Sequence, residues 1–210
     1  MRSETKTIRC NSCEKEFSAR VILQIDCAKA ADRSIDLSEG EPFLFTCPHC
    51  GAKMHLNHFL LWVDEQHTVA LCNLADEGEL SAVEEALSAL VSFGKAASIR
   101  RRYLSSPAQL WEKISIFEAG LDDRTVEIVK LYMAEEVRRA YPQKTLTDVL
   151  FVCKEGLFGF LFRCPDGDLT VEISKEKLDA VSAQFAFSEP SPQRVDAAWA
   201  LQFLTGGKSC

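Results

Sequence analysis

The sequence predicts an α+β protein: a small β lobe built around paired cysteines, then a helical hairpin, then a three-stranded antiparallel meander with C-terminal helices. Three observations carry this. Two Cys-x2-Cys pairs lie in the first quarter of the chain, at Cys10/Cys13 and Cys47/Cys50. The apolar period changes from strand-like to helical at Asp76. It changes back to strand-like past Pro142, in three short runs separated by turn residues.

Cys47-Pro48-His49-Cys50-Gly51 has the form of a tight knuckle, in which two sulfurs converge and the following backbone N–H groups turn toward them. Cys10-Asn11-Ser12-Cys13 supplies a second pair. Cys-x2-Cys, a long spacer from Glu14 to Thr46, and Cys-x2-Cys again is the pattern of a four-thiolate zinc site. The predicted ligands are therefore Cys10, Cys13, Cys47 and Cys50, holding one structural Zn2+ per chain. A disulfide scaffold fits less well, because Met1 to Ile25 is polar and charged with no apolar leader, and a cytoplasmic chain keeps its thiols reduced. A thioredoxin-like pair would need one Cys-x-x-Cys opening a helix, whereas strand-like residues follow both pairs.

The elements follow in order. Glu16 to Asp26 alternates and is rich in β-branched residues, so a strand leaves the first knuckle. Ala28 to Pro42 is polar and turn-like, with a reversal at Ser38-Glu39-Gly40, and Phe43-Leu44-Phe45 returns to the second knuckle. Ala52 to Val63 and Thr68 to Leu74 read as a hairpin around Asp64-Glu65-Gln66-His67. Residues 1–75 thus form a zinc-ribbon-like β lobe, and residues 76–210 an α+β lobe with helices over 76–141, a meander over 148–174 and C-terminal helices over 175–205.

Asp76 and Glu79 have capping-box spacing before Leu80, Val83, Leu87, Leu90 and Val91, a helix that stops at Gly94. Ser106-Pro107 opens a helix with Leu110, Trp111, Ile114 and Phe117 on one face and Gly120 as its stop. Asp122 or Asp123 caps the next helix, whose stripe is Val126, Val129, Met133, Val137 and Ala140. The two form an αα-hairpin. The meander strands are Val149 to Cys153, Leu157 to Arg163 and Leu169 to Ser174. Ser174 caps a helix bearing Leu178, Val181 and Phe185, and after Pro190-Ser191-Pro192 a last helix gathers Val195, Trp199 and Phe203.

Ile8-Arg9-Cys10-Asn11-Ser12-Cys13, the run Phe43 to Gly51 around Cys47-Pro48-His49-Cys50, and Glu112-Lys113-Ile114-Ser115-Ile116-Phe117-Glu118-Ala119-Gly120-Leu121-Asp122-Asp123-Arg124 resemble the bacterial and archaeal CpXC family. Val195 to Ala200 is similar to a stretch of its longer members. Asn11 departs from the proline that many members carry after the first cysteine, while the ligand spacing is kept. The resemblance implies a metal-binding domain and assigns no reaction.

The composition is that of an ordinary globular chain, 47% apolar and 26% charged, with a formal net charge of −7. Neither lobe carries the basic surplus of a nucleic-acid binder. Arg100-Arg101-Arg102-Tyr103 is the one basic run with an adjacent aromatic; its expected role is a solvated edge, and contact with nucleic acid through Arg100, Arg101 and Arg102 is the alternative. His55 and His58 are expected on opposite faces of a strand, which argues against a second metal site. Capping accounts for Asp122 and Asp123. Cys27, Cys72, Cys153 and Cys164 read as small core residues. No nucleophile–base set, phosphate loop or cofactor fingerprint is present, so no catalytic or cofactor-binding residue is assigned.

The expected function is a cytoplasmic, non-catalytic zinc protein that binds another protein as an interaction or adaptor module. An enzyme with a pocket between the lobes and a nucleic-acid-binding zinc ribbon are the alternatives.

Overall fold

The computed structural model describes residues 1–28, 40–81, 83–85, 87, 99–187 and 191–206. The fold is α+β, as the sequence predicts, in two compact units, Met1–Leu110 and Trp111–Cys210. The expected turn at Ser38 and Glu39, the helix end at Gly94 with Leu90 and Val91, and Pro190 fall outside the described residues.

The first unit contains β1 (Arg2–Arg9), β2 (Glu16–Asp26), β3 (Leu44–Thr46), β4 (Lys53–His55), β5 (Leu60–Asp64), β6 (Val69–Asn73) and β7 (Arg100–Leu104). Five of these form a mixed sheet in the order β1-β2-β5-β6-β7, and β3 and β4 make a separate two-stranded ribbon. β2 is parallel to β5, and β7 is parallel to β6 with Leu71 opposite Arg102. The pairing of β7 with β6 carries the first unit on to Leu110, past the 75/76 boundary read from the sequence. β1 escaped the sequence reading. Its side chains are almost all exposed, so pairing with β2 rather than apolar alternation makes it a strand.

The predicted long strand from Ala52 to Val63 is two strands. Lys53–His55 pairs with β3, whereas Leu60–Asp64 enters the large sheet and makes the predicted hairpin with β6. At its turn the Asp64 carboxylate accepts from the backbone N–H groups of Gln66 (2.9 Å) and His67 (3.2 Å), a side-chain mimic of a backbone turn. All of β6 and the first four residues of β5 are buried, and Leu61, Val63, Ala70 and Cys72 pack with Leu74, Val83, Leu87 and Tyr103. A second cluster, Ile8, Phe17, Val21, Leu23 and Phe45, lies against Cys10 and Cys47. Past residue 76 a 3-10 turn (Glu77–Glu79) leads into helix at 80 and 81, with 83–85 and 87 also helical. The Asp76 carboxylate accepts from the Gly78 N–H and that of Glu79 from the Ala75 N–H.

In the second unit α1 (Pro107–Glu118), which begins in the first, and α2 (Asp123–Ala140) form the predicted hairpin. Ser106 Oγ accepts from the Gln109 N–H at α1's start. At its end Gly120 takes φ +68°, Gly120 N–H reaches Phe117 O at 2.9 Å and Leu121 N–H reaches Ile116 O at 3.1 Å. That is a Schellman close, which needs a residue without a Cβ penalty. The meander β8 (Asp148–Lys154), β9 (Leu157–Arg163) and β10 (Leu169–Ile173) sets Phe151 opposite Phe160 and Phe160 opposite Val171. α3 (Lys175–Ser182) and α4 (Ala197–Leu204) follow, capped by Ser174 and Asp196 as the sequence indicates for Ser174. The core joins Ile116, Val126, Val129, Ala134 and Val137 of the hairpin to Phe151, Phe160 and Phe162 of the meander and Leu178 of α3.

Two positions in the helical stripes need correction. Ala140 keeps the angular position of the stripe but is exposed, because it is the last residue of α2, whereas Ala134, outside the predicted stripe, is buried. Trp111 is only half-buried, whereas Ile116, one turn further and outside the predicted stripe, is fully buried.

Candidate metal centre

Each cysteine pair sits where a strand ends and its partner begins: Cys10 and Cys13 between β1 and β2, Cys47 and Cys50 between β3 and β4. The two turns are built alike. Glu14 N–H donates to Cys10 O and Gly51 N–H to Cys47 O, both at 2.9 Å, and the N–H groups of Cys10 and Cys47 donate to Lys15 O and Ala52 O at 3.0 and 2.9 Å. The residue after each second cysteine has positive φ, +59° at Glu14 and +73° at Gly51. Glycine meets that demand at Gly51 without strain; at Glu14 an ordinary side chain is held there by the knuckle.

The turns bring the four sulfurs together. Cys10 Sγ lies 3.7 Å from Cys50 Sγ and Cys13 Sγ lies 3.7 Å from Cys47 Sγ, and all four are within 4.8 Å of one another. A tetrahedral ion with bonds of about 2.3 Å to sulfur needs sulfur edges of about 3.8 Å. The four cysteines could therefore hold a metal ion. Cys10 and Cys47 are buried and Cys50 is exposed, so the cluster is supported from beneath by Phe17 and Phe45 and open at one corner.

Backbone dipoles favour ionised sulfur here. The Ser12 N–H lies 3.4 Å from Cys10 Sγ. The Cys10 thiol is pulled down to about 6, foremost by the Cys13 backbone N–H, with Ser12 adding to it. At Cys50 the Ala52 N–H pulls down, but burial and the three neighbouring thiols outweigh it and push the group up to about 11. Four thiols so close cannot all ionise without a cation among them.

Among the described residues this is the one group of three or more His, Cys, Asp or Glu side chains placed to hold a metal. The histidines go elsewhere. His49 Nε2 meets Glu16 O at 3.2 Å, His67 Nδ1 is 2.6 Å from Asp64 Oδ2, and His55 is exposed. His58 lies in a loop, not on a strand with His55; it is buried against Phe43 with Nδ1 2.8 Å from Phe59 O. Cys72 is fully buried and burial pushes its thiol up to about 12, as a core residue.

The basic run is β7, the last strand in the order of its sheet; Arg100 and Arg101 are partly exposed, as expected of an edge, but Arg102 is not solvated. Arg102 is fully buried with Nη1 donating to Arg101 O, Arg101 pairs with Glu84 at 3.0 Å, and Tyr103 OH donates to the same Glu84.

A second assembly of polar side chains was not legible as one. Glu112 and Lys113 of α1 and Asp123, Glu127 and Lys130 of α2 are all nine-tenths or more buried. Lys113 Nζ lies 2.9 Å from Glu127 and 3.2 Å from Asp123; Lys130 Nζ lies 2.9 Å from Glu112. Glu112 also accepts from the Phe151 N–H at 2.6 Å, tying β8 to α1. Asp122 is the cap, accepting from the Arg124 N–H, but Asp123 is not. It belongs to this network. The only signal in the sequence is charge on two helices whose facing sides are otherwise apolar, and charge on a helix reads as solvent.

The fold and the cysteine cluster define a class: an α+β protein with two cysteine knuckles able to hold one metal ion. The model of the CpXC protein family matches residues 8–130, more than half of the chain, and the chain belongs to that family. The match takes in all four clustered cysteines and, at its end, the whole buried charge network. No curated protein and no solved structure matches the chain. No helix among the described residues is long and apolar enough to cross a membrane.

Proposed function

We propose that this protein is a zinc-binding interaction or adaptor module, non-catalytic, with one structural Zn2+ bound by Cys10, Cys13, Cys47 and Cys50. The observation that carries the reading is the all-sulfur donor set. Thiolates select zinc over oxygen-seeking cations, and four of them close a tetrahedral shell with no position for water or substrate. The ion then serves as a cross-link between the β1–β2 turn and the β3–β4 turn, and so as part of a surface for another protein. A reducing, cytoplasmic setting fits a site that needs four free thiols. Burial of Arg102 and pairing of Arg101 with Glu84 weigh against the nucleic-acid alternative.

Metal analysis of purified protein tests the first part: about one zinc per chain, lost on Cys47→Ser, supports it. Visible absorption from an iron centre overturns it. An affinity pull-down tests the second part, with a specific partner supporting it and substrate turnover by the purified protein overturning it.

A further inference from the structure

The five-stranded sheet of the first unit begins with β1, which pairs along one side: β2 takes its inner edge, and no strand among the described residues takes the outer one. An unpaired strand edge is a row of N–H and C=O groups ready to bond another chain, and such edges are ordinarily kept short, bent or crowded with charge. β1 is eight residues long, and its register with β2 is unbroken from Ser3 to Arg9. Glu4, Thr5, Lys6 and Thr7 are all exposed. The edge is therefore long and open to solvent, with one acid and one base at its middle.

The ladder fixes which backbone groups face outward. Cys10 N–H donates to Lys15 O at 3.0 Å, one step beyond the Arg9–Glu16 pair, so Cys10 and Lys15 are a hydrogen-bonded pair of the antiparallel ladder. Hydrogen-bonded and non-bonded pairs alternate along such a ladder. Ile8, Lys6 and Glu4 thus turn their backbone groups toward β2, and Arg9, Thr7, Thr5 and Ser3 turn theirs to the free edge. A strand added there antiparallel must set its own outward-facing residues opposite these.

Side-chain charge then selects the occupant. For a second copy of β1 related by a two-fold axis, the axis can cross the middle of the strand at Glu4, Thr5 or Lys6. At Glu4 it opposes two carboxylates and at Lys6 two ammonium groups, and like charges directly opposite are destabilising. At Thr5 it sets Thr5 against Thr5, Ser3 against Thr7, and Glu4 against Lys6 on both sides of the axis. Ser3, Thr5 and Thr7 face outward, so their pairs are hydrogen-bonded, and the Glu4–Lys6 pairs fall at the non-bonded positions where opposed side chains stand closest. Glu4 and Lys6 of one chain already lie 3.0 Å apart, so two copies join these charges into a ring of alternating sign. Ser3-Glu4-Thr5-Lys6-Thr7 is its own complement when read in reverse.

We propose that the outer edge of β1 is a self-association surface: a second copy of this chain adds its own β1 antiparallel about a two-fold axis at Thr5, joining the two five-stranded sheets edge to edge. The groups involved lie outside the cysteine cluster.

The test is sedimentation velocity of the full-length protein as purified, under reducing conditions. An interface one strand wide is small and therefore weak, so the monomer is expected to pass to dimer over a series from about 5 to 500 µM. Thr5→Pro removes an outward N–H that β2 does not use, and proline is tolerated on such an edge. That variant is expected to keep the far-UV circular dichroism of the wild type and to sediment as a monomer throughout. Glu4→Lys and Lys6→Glu each oppose like charges in the symmetric dimer and should each weaken it roughly tenfold. Mixed in equal amounts, these two variants oppose only unlike charges, and the dimer should return. A monomer at every concentration, an unchanged dimer in Thr5→Pro, or a mixture that associates no better than its separate components overturns the proposal.

Discussion

Lys113 Nζ stands 2.9 Å from Glu127 Oε1, with side chains only 2% and 3% exposed, so two helices of the hairpin are joined by an ion pair out of contact with water. Asp123 at 3.2 Å shares the same ammonium. Removing one member of such a network leaves a charge buried without its counterpart, which costs more than the pair contributes. Lys113→Met is expected to destabilise by about 3–5 kcal/mol, read from the denaturant midpoint at unchanged slope. The double variant Lys113→Met with Glu127→Leu should recover part of that loss. A double variant that is less stable than the single one by a further large step would show that the charges act independently.

The network carries three carboxylates, from Glu112, Asp123 and Glu127, against two ammonium groups, from Lys113 and Lys130. Burial, foremost, holds the Glu112 carboxyl above its ordinary value of 4.5, against the pull of Lys130. An acid whose pKa is raised in the folded state binds its proton more tightly folded than unfolded. Its contribution to stability is therefore complete below pH 4.5 and is lost as the pH climbs through the raised value. Glu112→Gln, which cannot titrate, should match the wild type near pH 4 and gain on it as the pH rises toward neutrality. Chemical unfolding of both proteins across that range checks this. The opposite trend would mean that the Lys130 ion pair outweighs burial.

The spacer between the knuckles, Glu14 to Thr46, is closed into a loop where the sulfurs meet, and the ribbon on the far side has only three-residue strands. Loop closure costs entropy that so short a ribbon offsets poorly without the metal. Chelation is expected to open the first unit and leave a protease-resistant fragment beginning near residue 111, restored to full length protection when zinc is added back. The boundary is expected there, and not near residue 75, because β2 shares its sheet with β5, β6 and β7. A single melting transition, the same with and without metal, would show the two units to be one cooperative body.

Ile116 is fully buried in the core of the second unit, while Trp111 is half-buried. Ile116→Ala is expected to destabilise by about 2–5 kcal/mol, the range for deleting a buried aliphatic side chain. Trp111→Ala should cost less than Ile116→Ala despite removing more atoms, since the indole is only partly buried whereas Ile116 is fully so. Thermal unfolding of the two variants decides it, and a larger loss at Trp111 would reverse the assignment of α1's inner face.

The two cysteine pairs, most of the helix caps and the meander could be read from the chain itself, because each rests on neighbours within a few residues, whereas Cys153, expected in the core, is exposed. A Cys-x2-Cys turn brings its own two sulfurs together, Ser106 and Asp122 reach N–H groups two or three residues on, and Glu155-Gly156 takes the paired positive φ of a tight hairpin turn. The family could be read for the same reason, its motifs being contiguous. What the chain could not disclose depends on which distant segments meet. β1 shows no apolar alternation and exists through β2; β7, basic along its first half, is a strand through β6. Arg102 is a surface residue by type and an interior one by register. Glu112, Lys113, Asp123, Glu127 and Lys130 look like five solvated charges on two helices until the αα-hairpin faces them inward, where a lysine is admitted because a carboxylate from the other helix is already there. Burial of a charge is a property of the pair and not of either residue, and the pairing is fixed only when the helices pack.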